Sequence, residues 1–183
     1  MCGRYFNDNE NERILSLYEK AKDVNPNIDL KNGDICPGDI APLLNCENRI
    51  SVQKWGIENP YKKNAIIINS RSETILEKFK PYFENSRSVI PCSGYYEWTR
   101  DKEKYYFDLS KEKILFLCGI STGKTIDDRF SIITREACDE FHNIHPRMPL
   151  ILEEKYVTKY LFDYDFAKYI LNHGIEKLAF KKV

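Results

Sequence analysis

The chain has 183 residues, of which 42% are hydrophobic and 31% are charged, so it can bury the core of one domain. Its 28 Lys and Arg residues equal its 28 Asp and Glu residues, which makes the formal net charge zero. This balance excludes a globally basic protein that coats nucleic acid, but it leaves room for a local basic groove. The aromatic share of 13% fits a chain rich in β-strands and could also supply surfaces for base stacking.

The cysteines predict a reducing compartment. The six of them are spread along the chain without a C-x-x-C pair, at Cys2, Cys36, Cys46, Cys92, Cys118 and Cys138. With only three His, their spacing does not match the usual zinc motifs, so no metal or other cofactor is expected. The polar stretch 7–13 lacks the apolar segment of a signal peptide, and no run of about 18 apolar residues could span a membrane. We expect a cytoplasmic monomer with free thiols and no membrane association.

Hydrophobic periodicity predicts a strand and a helix at the start of the chain. The strand ends at Tyr5-Phe6, and an amphipathic helix follows over about residues 9–22. Asn7, Asp8 or Asn9 is the expected cap of this helix. Further strands are predicted at about residues 40–44, 50–55 and 65–68.

Ser70-Arg71-Ser72-Glu73 matches a capping box and predicts a helix over about residues 71–79, which Pro81 ends. Strands are then predicted at about residues 88–92, 94–98, 105–109, 114–120, 130–134 and 150–152. Helices are predicted at about residues 136–141, 153–162 and 166–171, and residues 177–183 form either a last strand or a frayed tail. Strands interspersed with helices along the whole chain predict an α+β domain over residues 1–183, with a mixed, curled sheet.

Cys2 directly follows Met1 and has a chemical option that no internal residue has. Removal of Met1 would leave an α-amine and a thiol on one residue, with ordinary pKa values near about 8 and 8.5. Such an aminothiol captures an aldehyde first as a Schiff base and then as a five-membered thiazolidine ring. The alternative is that Met1-Cys2 is an ordinary start of the chain.

Two further segments carry candidate chemistry. Asn69 follows the predicted strand 65–68, and Arg71 lies at the predicted helix N-terminus, where an anion would be attracted. The alternative is a plain capped helix. Glu97 lies between aromatic residues, where burial would raise its pKa as a general acid or base requires. The alternative is a carboxylate on the wet face of a strand.

A loop and a Trp complete the candidates. His145 and Arg147 lie in the segment His145-Pro146-Arg147-Met148-Pro149, in which two prolines constrain the backbone around a possible proton donor. His145 could equally be structural, whereas His142 and His173 are expected at the surface. Trp55, followed by Gly56, could be a stacking platform beside a groove or a core residue.

The motifs together resemble the SOS-response-associated peptidase (SRAP) domain family over nearly the whole chain. Six segments occur in that family's order, namely Met1-Cys2-Gly3-Arg4-Tyr5, Trp55-Gly56, Asn69-Ser70-Arg71-Ser72-Glu73-Thr74, Pro91-Cys92-Ser93-Gly94-Tyr95-Tyr96-Glu97-Trp98, Ser131-Ile132-Ile133-Thr134 and Ile144-His145-Pro146-Arg147-Met148-Pro149. The resemblance implies a single α+β domain with a curled, barrel-like sheet. It also implies a protein that removes its own initiator Met, senses abasic sites in single-stranded DNA and crosslinks to them.

The resemblance implies specific roles for four residues. Cys2 resembles the nucleophile whose amine and thiol form a thiazolidine with the ring-opened sugar, and Asn69 the residue that orients Cys2 and the sugar. Glu97 resembles the acid/base for Met1 removal and for proton transfers at the Cys2 amine. His145 resembles the donor of a proton to the sugar oxygen, with the matching role in reversal.

The resemblance also implies DNA contacts. Arg71 and Arg147 match positions that bind phosphates flanking the lesion, with help from Arg4, and Trp55 is the candidate for stacking on bases. Such contacts predict one basic groove on an otherwise acidic surface, and nucleoid association when damaged DNA is bound. The chain departs from the family pattern after Trp55-Gly56, where Ile57-Glu58-Asn59-Pro60-Tyr61 replaces a Leu-Ile-Pro segment and a second Trp, and at Ser70, where Ala is common.

Two other functions remain open from the residues alone. An N-terminal-nucleophile amidohydrolase would also expose Cys2 and would use Asn69 as an oxyanion donor on small amides. A non-enzymatic module for single-stranded nucleic acid would use Trp55, Tyr96 and the Arg residues, and would not need Cys2.

Overall fold

We describe the fold from a computed structural model, which covers residues 2–109, 113–175 and 177–183. Met1, the predicted one-residue propeptide, lies outside the described residues. In the described part of the chain, the helices are α1 (Glu12–Val24), α2 (Ile75–Lys78), α3 (Lys80–Asn85), α4 (Asp139–His142), α5 (Val157–Phe162) and α6 (Tyr164–Ile170). The strands are β1 (Tyr5–Asn7), β2 (Gly33–Ile35), β3 (Ile40–Leu44), β4 (Ile50–Trp55), β5 (Ile57–Glu58), β6 (Ile66–Ile67), β7 (Asn69–Arg71), β8 (Arg87–Cys92), β9 (Gly94–Trp98), β10 (Lys104–Asp108), β11 (Leu115–Ser121), β12 (Arg129–Glu136), β13 (Arg147–Pro149), β14 (Ile151–Leu152) and β15 (Ala179–Lys182).

Five of these strands close into a barrel. The pairing runs β12-β4-β3-β8-β11, and a further pairing of β11 with β12 completes the circle. The β12–β4 pairing is parallel and the others in the circle are antiparallel, so the barrel is mixed. The expected α+β class with a curled, barrel-like sheet is therefore confirmed.

A second sheet lies beside the barrel and carries the beginning of the chain. Its order is β15-β10-β9-β1-β2, and all its pairings are antiparallel. Buried residues of this sheet, such as Tyr5 and Phe107, pack in one apolar cluster with Leu117 and Ile132 of the barrel. Cys2 belongs to the same cluster, so the N-terminus lies where the two sheets meet.

The opposite faces of the barrel strands contact the helices. A second cluster joins Val89 and Ile133 of the barrel to Ile14 of α1 and Tyr160 of α5. The predicted strands 40–44 and 50–55 are confirmed with their bounds. Of the two alternatives for residues 177–183, the structure has a strand, β15, rather than a frayed tail. The first helix begins later than predicted, at Glu12, because Asn11 is the residue whose side chain accepts from the backbone N–H groups of the first turn.

Two local predictions are wrong around Ser70. The predicted buried strand 65–68 is only the two-residue β6, and Ile66 on it is 42% exposed. The predicted capped helix 71–79 is instead β7, a 3₁₀ helix at Ser72–Thr74 and the short α2, without a side-chain cap. The Ser70 hydroxyl bonds the Ser131 hydroxyl at 2.9 Å, because β7 pairs with β12 and this tertiary pairing replaces local capping.

Proline and strand length explain two further differences. Pro81 was predicted to end a helix, yet it lies in the first turn of α3, where its missing N–H costs nothing. The predicted helix 136–141 is shortened to α4, because β12 continues to Glu136 through its pairing with β13.

Candidate active site around Cys2

Asn69 holds the backbone of Cys2. The Asn69 side-chain Nδ2 donates to the Cys2 carbonyl oxygen at 2.9 Å. Asn69 opens β7, and its register opposite Ile132 of β12 fixes it at the wall of the barrel. Asn69, predicted at the end of a strand, instead begins one, and the pairing of β7 with β12 brings it to Cys2, 67 residues away in sequence.

The Cys2 thiol is a buried, neutral group in this structure. Cys2 is 0% exposed, and burial raises the pKa of its thiol well above the ordinary value. The Glu97 carboxylate raises this pKa further, while a hydrogen bond from the Arg4 backbone lowers it in part. The electrostatic effect of Glu97 shows that the carboxyl group and the thiol share one site.

Glu97 is a buried carboxyl group rather than a surface one. It is 3% exposed, so the alternative of a wet strand face is wrong. β9 pairs with β10 in a register that sets Glu97 opposite Tyr105, and the alternation of the strand buries Glu97 while Tyr96 and Trp98 point to the other face. Burial raises the pKa of Glu97 to about 7, so the group can both donate and accept a proton near neutral pH.

His145 faces Glu97 from the loop before β13. Its Nδ1 lies 4.0 Å from the Glu97 Oε2 and 3.0 Å from both the backbone N and O of Arg147. Burial lowers the pKa of His145, so the neutral imidazole is favoured. When Nδ1 accepts from the Arg147 N–H, the ring proton sits on Nε2.

The guanidinium of Arg147 is already engaged. It makes two bonds to the Glu73 carboxylate, at 2.5 and 3.0 Å, and donates to the Thr134 carbonyl at 2.6 Å. Arg147 lowers the pKa of Glu73 through this contact. The arrangement differs from the expected free phosphate-binding group, since a phosphate would have to share or replace the Glu73 contact.

Arg71 and Arg4 differ in their availability. Arg71 is exposed at the end of β7. Arg4 pairs with Asp34 at 2.9 Å, and its guanidinium lies 5.5 Å from the ring centre of Trp98. Among the cationic residues predicted to contact DNA, Arg71 thus presents the most open side chain.

Trp55 is a core residue, so its predicted stacking on DNA is wrong for this structure. It is 0% exposed, and its ring stacks on Phe130 with centres 6.2 Å apart. The indole N–H donates to the Ile68 carbonyl at 2.9 Å. Trp55 supports the backbone directly before Asn69 and offers no face to a ligand.

Two grooves border this cluster. A groove of about 900 Å³ contains His145, Trp98 and Tyr105 in its wall. A second groove, of about 810 Å³, contains Asn69 and Arg71 in its wall. Each groove thus contains one residue of the cluster, His145 in the first and Asn69 in the second.

Some lining residues were not predicted from the sequence. The sequence motif assigns Trp98 no role beyond its place next to Glu97, although strand alternation implies that it points away from the buried carboxyl group. Tyr61 was noted only as a departure from the family pattern, although a Tyr beside two Lys in a polar loop is a signal for an exposed binding residue. His142 and His173 are exposed, as predicted.

The described ranges contain neither a cluster of metal ligands nor a membrane-spanning helix. There, no group of three or more His, Cys, Asp or Glu residues is arranged to hold a metal ion. None of the helices in these ranges is long and apolar enough to cross a membrane. The six cysteines are free thiols.

The fold and the cluster define an α+β barrel protein with a buried cysteine near its N-terminus, which Asn69 contacts, and with Glu97 and His145 next to each other in the same cluster. The chain belongs to the SOS response associated peptidase (SRAP) family, whose profile matches residues 1–179.

Curated relatives agree with this assignment, and a solved structure shares the fold. The abasic site processing protein YoaM of Bacillus subtilis is 28% identical to the chain, over 88% of this chain and 79% of its own length. The abasic site processing protein HMCES of Mus musculus is 29% identical, over 71% of this chain and 50% of its own length. A crystal structure of a protein from Bacteroides thetaiotaomicron shares the fold, with a TM-score of 0.77 at 20% identity, and the match covers 100% of this chain and 92% of that one.

Proposed function

We propose that this protein recognises abasic sites in single-stranded DNA and traps them covalently through Cys2. The relatives named above are abasic site processing proteins, which supports DNA with abasic sites as the substrate. The observation that carries the proposal is the hydrogen bond from Asn69 to Cys2 in a buried site that also holds Glu97 and His145. The two grooves that border the cluster leave room for a strand to enter and leave.

The first step is removal of Met1 by hydrolysis. Until then the Cys2 nitrogen is part of a peptide bond and is not nucleophilic. A water adds to the Met1 carbonyl carbon, the Cys2 nitrogen leaves with a proton, and free Met is released. Glu97, with a pKa of about 7, is suited to accept the proton of the water and to return it to the leaving nitrogen.

The second step captures the sugar. The neutral Cys2 amine adds to the aldehyde carbon of the ring-opened abasic sugar, and one water is lost as the Schiff base forms. The thiol then adds to the same carbon, its proton passes to the nitrogen, and the thiazolidine closes without an oxidant or a cofactor. His145 donates a proton to the sugar oxygen during ring opening, and Asn69 keeps Cys2 in place.

The test uses a single-stranded oligonucleotide with one abasic site. We expect wild type to give a heat-stable shifted species on a denaturing gel, and Cys2→Ala to give none. Cys2→Ser keeps the amine but not the thiol, so it should lose the heat-stable product and still be trapped when borohydride reduces the Schiff base. Cys36→Ala, at a half-buried cysteine of another loop, is the matched control and should behave as wild type.

Two results would contradict the proposal. Crosslinking by Cys2→Ala at the wild-type level would show that Cys2 does not take part in the reaction. A wild-type mass that still contains Met1 would show that no free aminothiol forms. A comparison of wild type with Glu97→Gln in a cell-free translation shows whether the protein removes Met1 itself. Two other results would favour the alternative functions. Cleavage of small amides without any crosslink would favour the amidohydrolase. The binding module would be favoured if Cys2→Ala and wild type both bind damaged and undamaged strands equally well.

A further inference from the structure

The hairpin of β5 and β6 presents an isolated aromatic residue to solvent. Tyr61, in the turn that joins the two strands, is 96% exposed and borders the groove that contains Asn69. A large ring so exposed contributes nothing to the core, because its apolar area stays in water. The neighbouring Lys62 and Lys63 are also exposed.

The turn that carries Tyr61 is well ordered by hydrogen bonds. The Tyr61 backbone N–H donates to the Asn59 side chain at 2.9 Å, and the Asn59 backbone N–H donates to the Ala65 carbonyl at 2.9 Å. The Ala65 N–H returns to the Lys62 carbonyl at 3.2 Å. These contacts fix the backbone under Tyr61, so a ligand that stacks on the ring has to order the side chain but not the turn.

The two grooves beside the site differ in charge. The groove near His145 is bordered by one cation, Arg100, and two carboxylates, Asp101 and Glu103. The groove near Asn69 is bordered by two cations, Arg71 and Lys78, and one carboxylate, Glu58.

Ion pairs outside the grooves leave this difference in place. Glu58 is paired with Arg129 at 3.0 Å. Glu103 of the other groove is likewise paired with Lys182 at 2.5 Å, so one carboxylate in each groove is compensated. Lys62 and Lys63 stand beside Tyr61 at the rim and add positive charge on the same side. A polyanion is therefore attracted more strongly to the groove near Asn69 than to the groove near His145.

We propose that the groove between the β5–β6 hairpin and α2 is the main track for the DNA strand on one side of the lesion. Tyr61 stacks on a base there, and Arg71, Lys62, Lys63 and Lys78 neutralise the phosphates of that flank. Tyr61 thus supplies the stacking surface that the buried Trp55 does not supply. This inference rests on the proposed function, since it concerns the DNA that Cys2 would trap.

The test measures binding apart from the covalent chemistry. Two labelled oligonucleotides carry tetrahydrofuran, an abasic analogue without an aldehyde, near the 5′ end in one and near the 3′ end in the other. Their affinities are measured by fluorescence anisotropy. We expect Tyr61→Ala to weaken binding of one oligonucleotide roughly ten-fold, as the loss of one stacked base predicts, and to change the other by less than about two-fold.

Matched variants separate stacking from charge. Tyr61→Phe should bind as wild type, because a Phe ring keeps the stacking face. Lys62→Ala/Lys63→Ala should weaken binding of the same oligonucleotide and flatten its salt dependence. Tyr169→Ala removes another exposed aromatic, on α6 outside both grooves, and should change neither affinity.

The inference is overturned if Tyr61→Ala binds both oligonucleotides as wild type does, or if it weakens both equally. Crosslinking of the aldehyde-bearing oligonucleotide by wild type is scored in a parallel assay. If wild type crosslinks but Tyr61→Ala shows no flank-specific loss of affinity, only the proposed DNA track is refuted. If wild type never crosslinks, the proposed function is refuted.

Discussion

Glu97 shows at the scale of a single residue how burial prepares a group for proton transfer. A carboxyl group in water is ionised at neutral pH, but removal from water disfavours the charged form and raises the pKa of Glu97 to about 7. The neighbouring His145 shifts in the opposite sense, because burial disfavours its charged form as well. Burial thus favours the neutral form of both groups.

The first prediction concerns the pH dependence of stability. The folded-state pKa of Glu97 lies above its ordinary value of 4.5, so Glu97 favours folding below pH 4.5, and this contribution is lost as the pH rises through about 7. Urea unfolding at pH 5 and pH 8 should show that wild type loses on the order of 3 kcal/mol more than Glu97→Gln between these pH values. An identical pH dependence of both proteins would contradict this assignment of the pKa.

The residue scale also shows the limit of local patterns. Strand alternation places Glu97 and Trp98 on opposite faces of β9. Which of these faces is buried depends on how the second sheet packs against the barrel. Trp55 shows the same limit, since its sequence context allows a platform or a core position and only the fold decides for the core.

β12 is the central element of the fold. It pairs with β4, β11, β7 and β13, so it both closes the barrel and supports the strands that carry Asn69 and Arg147. The capping-box pattern at Ser70 failed because the pairing of β7 with β12 satisfies that backbone instead. Local sequence signals are overruled where a buried strand partner is available.

Arg87 on β8 joins the helices to the barrel. Its buried guanidinium donates to the carbonyls of Phe83 and Glu84 at the end of α3 and to those of Tyr160 and Leu161 in α5. Each of these carbonyl groups is a helix-end acceptor that would otherwise need another donor.

The second prediction follows from this clamp. Arg87→Ala leaves several buried carbonyl groups without their donor, so the free energy of unfolding should fall by about 3 kcal/mol or more. Arg49→Ala, which removes a highly exposed guanidinium, should change it by less than about 0.5 kcal/mol. Urea unfolding of both variants checks this, and equal stability of the two would contradict the structural role of Arg87.

At the scale of the whole molecule, zero net charge conceals an uneven distribution. Two cations and one carboxylate border the groove near Asn69, whereas the groove near His145 has one cation and two carboxylates, one of which is paired with Lys182. A protein without net positive charge could thus bind a polyanion, because its cations are concentrated on one side of the site.

The third prediction concerns salt. If three or four phosphates are neutralised, the logarithm of the binding constant for a single strand should fall with the logarithm of salt concentration, with a slope of about −2 to −3. Anisotropy titrations between about 50 and 300 mM salt measure this slope for undamaged and abasic strands. A flat response would exclude the phosphate-lined groove.

The sequence by itself determined the α+β class, most strand positions and the identity of the family, because hydrophobic alternation and short motifs are local properties. The tertiary structure decided which residues meet. Asn69 reaches Cys2 only because β7 pairs with β12. Glu97 is buried only because its sheet packs against the barrel, and Arg147 is held by both Glu73 and Thr134. These contacts join segments far apart in the chain, and the free energy that selects them comes from closing the barrel and packing its faces rather than from any local pattern.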